Sequence, residues 1–190
     1  CIARGNLTAD VSNVIGFTGS AGTDRRLVIN CIAYGFCNAS NNSGTGFALN
    51  GNTASGNELF YNCTAYGCAY GFNDTMYRGG RVYNCVSMNN AVADFYGVYS
   101  STGSDYNCSE DTTAPGSTYI RSAVIASTFI DAANGDFRPC GNSPLLLAGG
   151  GPATDATVPT TDIAGNPRAG TLTSIGAFHK GTTDVYYSLS

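Results

Sequence analysis

The sequence predicts an all-β fold, a solenoid of stacked coils of about 22 residues. A short phrase is written several times over. It runs Leu27-Val28-Ile29-Asn30-Cys31-Ile32-Ala33-Tyr34-Gly35, then Leu59-Phe60-Tyr61-Asn62-Cys63-Thr64-Ala65-Tyr66-Gly67. It returns eroded as Arg81-Val82-Tyr83-Asn84-Cys85-Val86-Ser87 and as Asp105-Tyr106-Asn107-Cys108-Ser109, and Cys1-Ile2-Ala3-Arg4-Gly5 is its second half. A Gly-Phe pair travels with it at Gly16-Phe17, Gly46-Phe47 and Gly71-Phe72, with Asp94-Phe95 as the weakened fourth copy. Glycine is used 25 times, and Asn, Ser and Thr fill the spaces between apolar runs. That composition suits tight turns, and helical periodicity is nearly absent.

The elements follow from the phrase. Residues 1–26 make a partial first coil, 27–58 a coil with a polar loop from Asn38 to Thr45, and 59–81 and 82–104 two compact coils. From Asp105 to Gly116 the phrase degrades, and Glu110, Asp111 and Pro115 mark a turn out of the repeat. The run Tyr119-Ile120-Arg121-Ser122-Ala123-Val124-Ile125-Ala126 reads as strand. One structural domain results, with coils over 1–116 and the last coils and closing segment over 117–190. The chain begins inside a repeat, at a cysteine whose preceding strand is missing, which predicts a longer chain upstream.

Composition narrows the function. Only 12% of residues are charged and the net charge is −4; Lys180 is the one lysine and the arginines are scattered, so a phosphate-binding surface is not expected. No apolar run approaches the ~20 residues that span a bilayer.

The phrase also fixes what faces inward. Val28, Phe60 and Val82 sit three residues before the cysteine, and Ala33, Ala65 and Ser87 two after it. Strict alternation cannot point both sets inward. A bend at the asparagine can, since Asn tolerates unusual backbone angles. Asn30, Asn62, Asn84 and Asn107 would then form an internal amide ladder, each bonded to the Asn above and below. Cys31, Cys63, Cys85 and Cys108 would form a column of buried thiols, because stacked strands lie ~4.8 Å apart while a disulfide wants Cβ atoms at ~3.8 Å. Cys37 and Cys68 are the best-placed pair for a disulfide between coils. Cys140 has no evident partner.

At the asparagine corner the pattern resembles the right-handed parallel β-helix of the pectate-lyase-like superfamily. The closing segment strengthens the likeness: Gly135-Asp136-Phe137-Arg138, Ser143-Pro144, Asp162-Ile163-Ala164-Gly165-Asn166-Pro167-Arg168 and Ile175-Gly176-Ala177 are similar to the tail of bacterial and phage members. The chain departs from them at Leu145-Leu146-Leu147-Ala148-Gly149 and at Phe178-His179. The resemblance implies a C-terminal cap over the exposed end of the solenoid, with Arg168 pairing Asp162 to hold it.

That superfamily hosts lyases, glycoside hydrolases and depolymerases, but a fold does not give a function. Lyases of this kind want a basic residue beside acidic calcium ligands, and Arg4, Arg25, Arg26, Arg78 and Arg81 recur with no acidic cluster. Hydrolases want two carboxylates on neighbouring rungs, for which Asp74 and Asp94 are the candidates. His179, the sole histidine, lies in the tail without a nucleophile near it in sequence, and no zinc spacing or other cofactor signature is present.

By the same parity, the residue before each asparagine points outward: Ile29, Tyr61, Tyr83 and Tyr106, flanked by Tyr34 and Tyr66. Such a column is open to three uses: self-stacking under a loop, contact with other subunits (as at a trimer seam), or stacking on a surface polysaccharide. Sequons at Asn62 and Asn107 fall in the ladder, whereas Asn6, Asn38, Asn41 and Asn73 fall in loops. The leading expectation is a non-enzymatic structural or adhesive module of an extracellular, cell-surface or virion-surface assembly. The alternatives are a polysaccharide-degrading enzyme and a glycan-binding module.

Overall fold

The computed structural model describes residues 1–5, 14–18, 26–37, 43–48, 58–74, 80–97 and 103–180. The loop sequons at Asn6, Asn38 and Asn41 lie outside them. Three short strands recur along the chain. β1 (Ile2–Arg4), β2 (Ile15–Thr18) and β3 (Arg26–Ile29) precede β4 (Ile32–Tyr34), β5 (Thr45–Ala48) and β6 (Glu58–Tyr61). Next come β7 (Thr64–Tyr66), β8 (Tyr70–Asp74) and β9 (Arg81–Tyr83), then β10 (Val86–Met88), β11 (Ala93–Gly97), β12 (Asn107–Ser109) and β13 (Tyr119–Ile120). Each sheet takes one strand from each repeat, in parallel. Sheet A runs β1-β4-β7-β10-β12-β13, sheet B β2-β5-β8-β11 and sheet C β3-β6-β9, extended by a bridge from Tyr83 to Asp105. The fold is therefore all-β with stacked parallel sheets, compatible with a solenoid.

The register explains why the phrase recurs. Phe17, Phe47, Phe72 and Phe95 are partners across sheet B, and their rings stack at 5.1, 4.7 and 5.0 Å with interplanar angles of 9°, 8° and 7°. The spacing is set by the strands, which lie ~4.8 Å apart. Val28, Phe60 and Val82 from sheet C and Cys31, Cys63, Cys85, Ala33 and Ala65 from the sheet A side meet that stack in one core. Gly71 precedes its Phe because a Cβ there would overlap Ser87 Oγ on the facing strand.

Between sheets C and A the chain bends at Asn30, Asn62 and Asn84, whose φ values are 49°, 52° and 54°. Asparagine adopts this left-handed conformation at lower cost than most residues. The main-chain ladder survives the bend, with Asn30 N–H donating to Tyr61 O and Asn62 N–H to Tyr83 O.

Two expectations are corrected here. The fourth phrase is slipped by one residue. Val86 pairs with Cys108 and Ser87 with Ser109, so Asn107 stands at the Cys85 position and Tyr106, with φ 53°, takes the corner. Cys108 leaves the inner thiol column and joins the outer face of sheet A. The inner position accepts Asn107 because its amide is satisfied there, donating to Val82 O and Pro115 O and accepting from Cys85 N–H.

The closing segment is the second correction. It does not sit over the solenoid end alone but folds back along the side of the stack, towards the first repeats. An antiparallel pair, β14 (Phe129–Asp131) and β15 (Asp136–Pro139), and a second, β16 (Gly149–Gly150) and β17 (Leu172–Thr173), stiffen it. Phe129, Phe137, Leu145 and Ile175 pack on Ile32, Val86, Met88 and Cys108, making a second core outside sheet A. Strands apolar on both faces need cover on both faces.

Candidate functional site

Sheet C brings Ile29, Tyr61 and Tyr83 into one register column. The Tyr61 and Tyr83 rings stack at 5.3 Å and 25°, and Tyr106 meets Tyr83 edge-on at 5.3 Å. Of the three uses open to this column, the one seen is self-stacking beneath a covering segment. Tyr61 is 2% and Tyr83 6% exposed, because the tail lies across them. Val158 completes their apolar cluster with Leu59, and Tyr61 O–H donates to Asp155 Oδ2 at 2.9 Å. Gly150 passes so close that a Cβ there would overlap the Tyr83 hydroxyl. Burial, then Asp155, pushes the Tyr61 phenol up to about 12. Tyr34 and Tyr66, half-buried register partners on sheet A, hold the tail as well: Tyr34 lies edge-on to Phe137 at 5.1 Å, and Tyr66 touches Phe137 and Phe129.

The corner asparagines do not bond one another, since the left-handed backbone turns their amides out towards the tail. Asn30 Nδ2 donates to Thr161 O at 2.7 Å, and Asn62 Nδ2 reaches Ser174 O and Gly176 O at 3.5 Å. Asn84 makes a matched pair with Gly150, donating to its carbonyl at 2.7 Å and accepting its N–H at 2.9 Å. Asn84→Ala therefore removes both bonds and leaves a left-handed alanine, an expected loss of about 2–4 kcal/mol. Asn84→Gly, which relieves the backbone, should recover about 1 kcal/mol of it. Urea unfolding of the two variants beside the parent checks the order.

Asp162 and Arg168 do not pair directly. Asp162 accepts from the N–H groups of Ala164, Asn166 and His179 and from the Asn166 side chain. Arg168, 2% exposed, donates to Thr173 Oγ1, Ser174 O, Gly176 O and Ala177 O. Desolvation draws its pKa down to about 10, against the Asp162 charge nearby. His179 is buried in the same knot, its Nδ1 3.1 Å from both Ser174 N–H and Thr173 Oγ1.

The thiols of the inner column are buried packing groups. Cys31, Cys63 and Cys85 donate to the carbonyls of Ile29, Tyr61 and Tyr83, each two residues back. Cys37 and Cys68 are both free, so the expected disulfide is not formed; Cys68 Sγ instead donates to Tyr66 O and Ala33 O, and burial pushes its thiol up to about 12.

Asp74 and Asp94 are not equivalent. Asp74 pairs with Gly97, three residues beyond Asp94, a displacement of about 10 Å along the strand. Asp74 is fully buried. Asp94 lines an open cleft of about 490 Å³ with Asn89, Asn90, Ala91, Glu110 and Asp111, of which the sequence marked Glu110 and Asp111 only as part of a turn. Its own oxygens are occupied: Oδ2 accepts the N–H groups of Glu110 and Asp111, and Oδ1 the Asn90 amide. Asp111 Oδ2 returns the contact to Asp94 N–H, and Glu110 takes the N–H of Asn89, which has φ 57°. Carboxylates on backbone N–H groups in this way close the end of sheet B. A candidate hydrolytic pair there would be Asp94 with Asp111 or Glu110.

Burial raises the Asp94 carboxyl from 3.8 to about 6, although Asn90 and the two N–H groups pull the other way. The folded chain thus holds this proton more tightly than the unfolded chain does. The stability it contributes is complete below about pH 4 and is lost as pH rises through about 6, by ~1–3 kcal/mol. Asp94→Asn should flatten the stability profile over that window, as read by denaturant midpoints on either side of it.

Among the described residues, no group of three or more His, Cys, Asp or Glu is placed to hold a metal ion, and no helix is long and apolar enough to cross a membrane. Comparison with protein-family models, with curated proteins and with solved structures gives no match.

Proposed function

We propose that the chain is a right-handed parallel β-helix module with a structural or adhesive role in an extracellular or virion-surface assembly, its partners being other protein subunits. The observation that supports this reading is where its polar and aromatic groups are spent. The tyrosine column and the corner asparagines bind the tail to the stack, and Arg168 ties the tail's own carbonyls together. Tyr61, Tyr83, Asn62, Asn84 and Arg168 are buried, which leaves them little surface to offer a substrate.

The second reading is a polysaccharide-degrading enzyme. It is favoured by the Asp94 cleft alone, where a carboxyl held up at about 6 resembles a general acid. Incubation with acidic and neutral polysaccharides separates the two, with new reducing ends and unsaturated uronates as readouts. The structural reading expects neither product above background. Turnover that disappears in Asp94→Asn would replace it with the enzymatic one. Binding to those glycans without turnover would replace it with a glycan-binding module.

A further inference from the structure

We propose that His179 is an acid-sensitive latch: a proton taken up at its Nδ1 unseats β17 and, through β16, loosens the cover over Tyr83.

Two donors converge on this one ring nitrogen. Ser174 N–H donates to Nδ1 at 3.1 Å, and a backbone N–H has no lone pair with which to accept a bond in return. Thr173 Oγ1 lies 3.1 Å from the same nitrogen and itself accepts from an Arg168 Nη at 2.9 Å, which leaves its own hydroxyl proton to point at the ring. Thr173 and Ser174 are fully buried and His179 is 5% exposed, so water cannot take the place of either donor. Nδ1 is a bare acceptor, and the closed tail holds the neutral ring.

A proton on Nδ1 would meet the Ser174 N–H and the Thr173 hydroxyl head-on, with the Arg168 guanidinium one hydrogen bond beyond. Among the described residues, the charged groups around the ring are Arg168, Lys180 and Asp162. The two cations oppose a charged imidazole. Asp162 would favour one, but its oxygens are spent on the N–H groups of Ala164, Asn166 and His179 and on the Asn166 side chain, and its charge already faces Arg168. The Cys63 thiol near Arg168 is kept neutral by burial.

The latch reaches the aromatic face through main-chain pairing. Thr173 is the register partner of Gly149 and Leu172 of Gly150. Gly150 is the residue that Asn84 grips and that presses on the Tyr83 hydroxyl. Displacing Thr173 and Ser174 therefore frees the strand that keeps this cover in place.

The sign follows from the neutral ring. An ordinary imidazole titrates near ~6.5. Stability that depends on the neutral form is complete above that pH and is lost as pH falls below it. Asp94 acts in the opposite direction over part of this range, so global unfolding blends the two and a local readout is needed.

Hydrogen exchange of the native chain, corrected for the intrinsic pH dependence of exchange, supplies it. Between about pH 7.5 and about pH 5, protection of the Gly150, Ser174 and Gly176 amides should fall about tenfold or more. His179→Asn, which keeps an uncharged acceptor near the Nδ1 position, should abolish that fall. Nitrogen NMR of the sole histidine is the check that needs no variant, since Nδ1 should gain its proton over the pH range in which protection is lost. Protection that holds down to about pH 5, a fall that persists in His179→Asn, or a protonated Nδ1 with the tail still protected would each overturn the latch.

Discussion

Phe72→Ala should cost about 3–5 kcal/mol, the largest single loss available among the stacked rings. Phe72 is fully buried, with Phe47 at 4.7 Å on one side and Phe95 at 5.0 Å on the other, both nearly parallel to it, and Phe60 edge-on at 5.9 Å. Truncation leaves a void whose floor and roof are rings fixed by their own strands. The neighbouring repeats cannot collapse into it, because the main-chain ladder holds them ~4.8 Å apart. Phe17→Ala, at the half-buried end of the column, should cost visibly less. Chemical unfolding of both variants measures the difference, and equal losses would mean that the column does not act as a continuous core.

Arg168→Met should cost about 3 kcal/mol or more, although the residue touches no inner side chain of the stack. Its guanidinium takes three tail carbonyls and one hydroxyl, and two of those carbonyls, Ser174 O and Gly176 O, are the ones Asn62 reaches from the corner. Methionine fills the same volume but strands those acceptors away from water. The gross bond count overstates the net value, since Arg168 is desolvated and its Nε is buried without a partner. Arg168→Lys keeps the charge but cannot fork between Ser174 O and Ala177 O, so it should fall between parent and methionine. Limited proteolysis gives the local readout, with cleavage between Thr160 and Lys180 rising before global unfolding.

The parts of this architecture written as repeated residues were legible in the sequence. The Gly-Phe phrase gave the column Phe17, Phe47, Phe72 and Phe95, and a parity argument placed a bend at the asparagine and pointed Tyr61 and Tyr83 outward. What covers them was not legible, since nothing in a local phrase says that residues 149–158 return over it. A signal was nevertheless present. Ile32 beside Ala33, and Val86 and Met88 about Ser87, are small or apolar on both faces, the mark of strands covered twice. The run at Leu145, a departure from the resembling family, supplies part of that cover, Leu145 itself being 1% exposed. The slip of the fourth phrase escaped for another reason. The shared Asn-Cys pair places Cys108 in the thiol column, but register follows what fits inside, and Asn107 fits once Val82 O, Pro115 O and Cys85 N–H satisfy its amide. The candidate carboxylates failed on the same ground, because Asp74 and Asp94 look alike beside the Gly-Phe phrase and differ by three positions in register.

Nitration of tyrosines in the native protein, mapped residue by residue by mass spectrometry, tests most directly whether the tail closes the aromatic face. Tyr96 and Tyr119, 40% and 44% exposed, should react readily, while Tyr61 and Tyr83 should be protected until the chain unfolds. Equal modification of all four in the folded protein would contradict a face sealed by its own tail and reopen it as a site for glycans or other subunits.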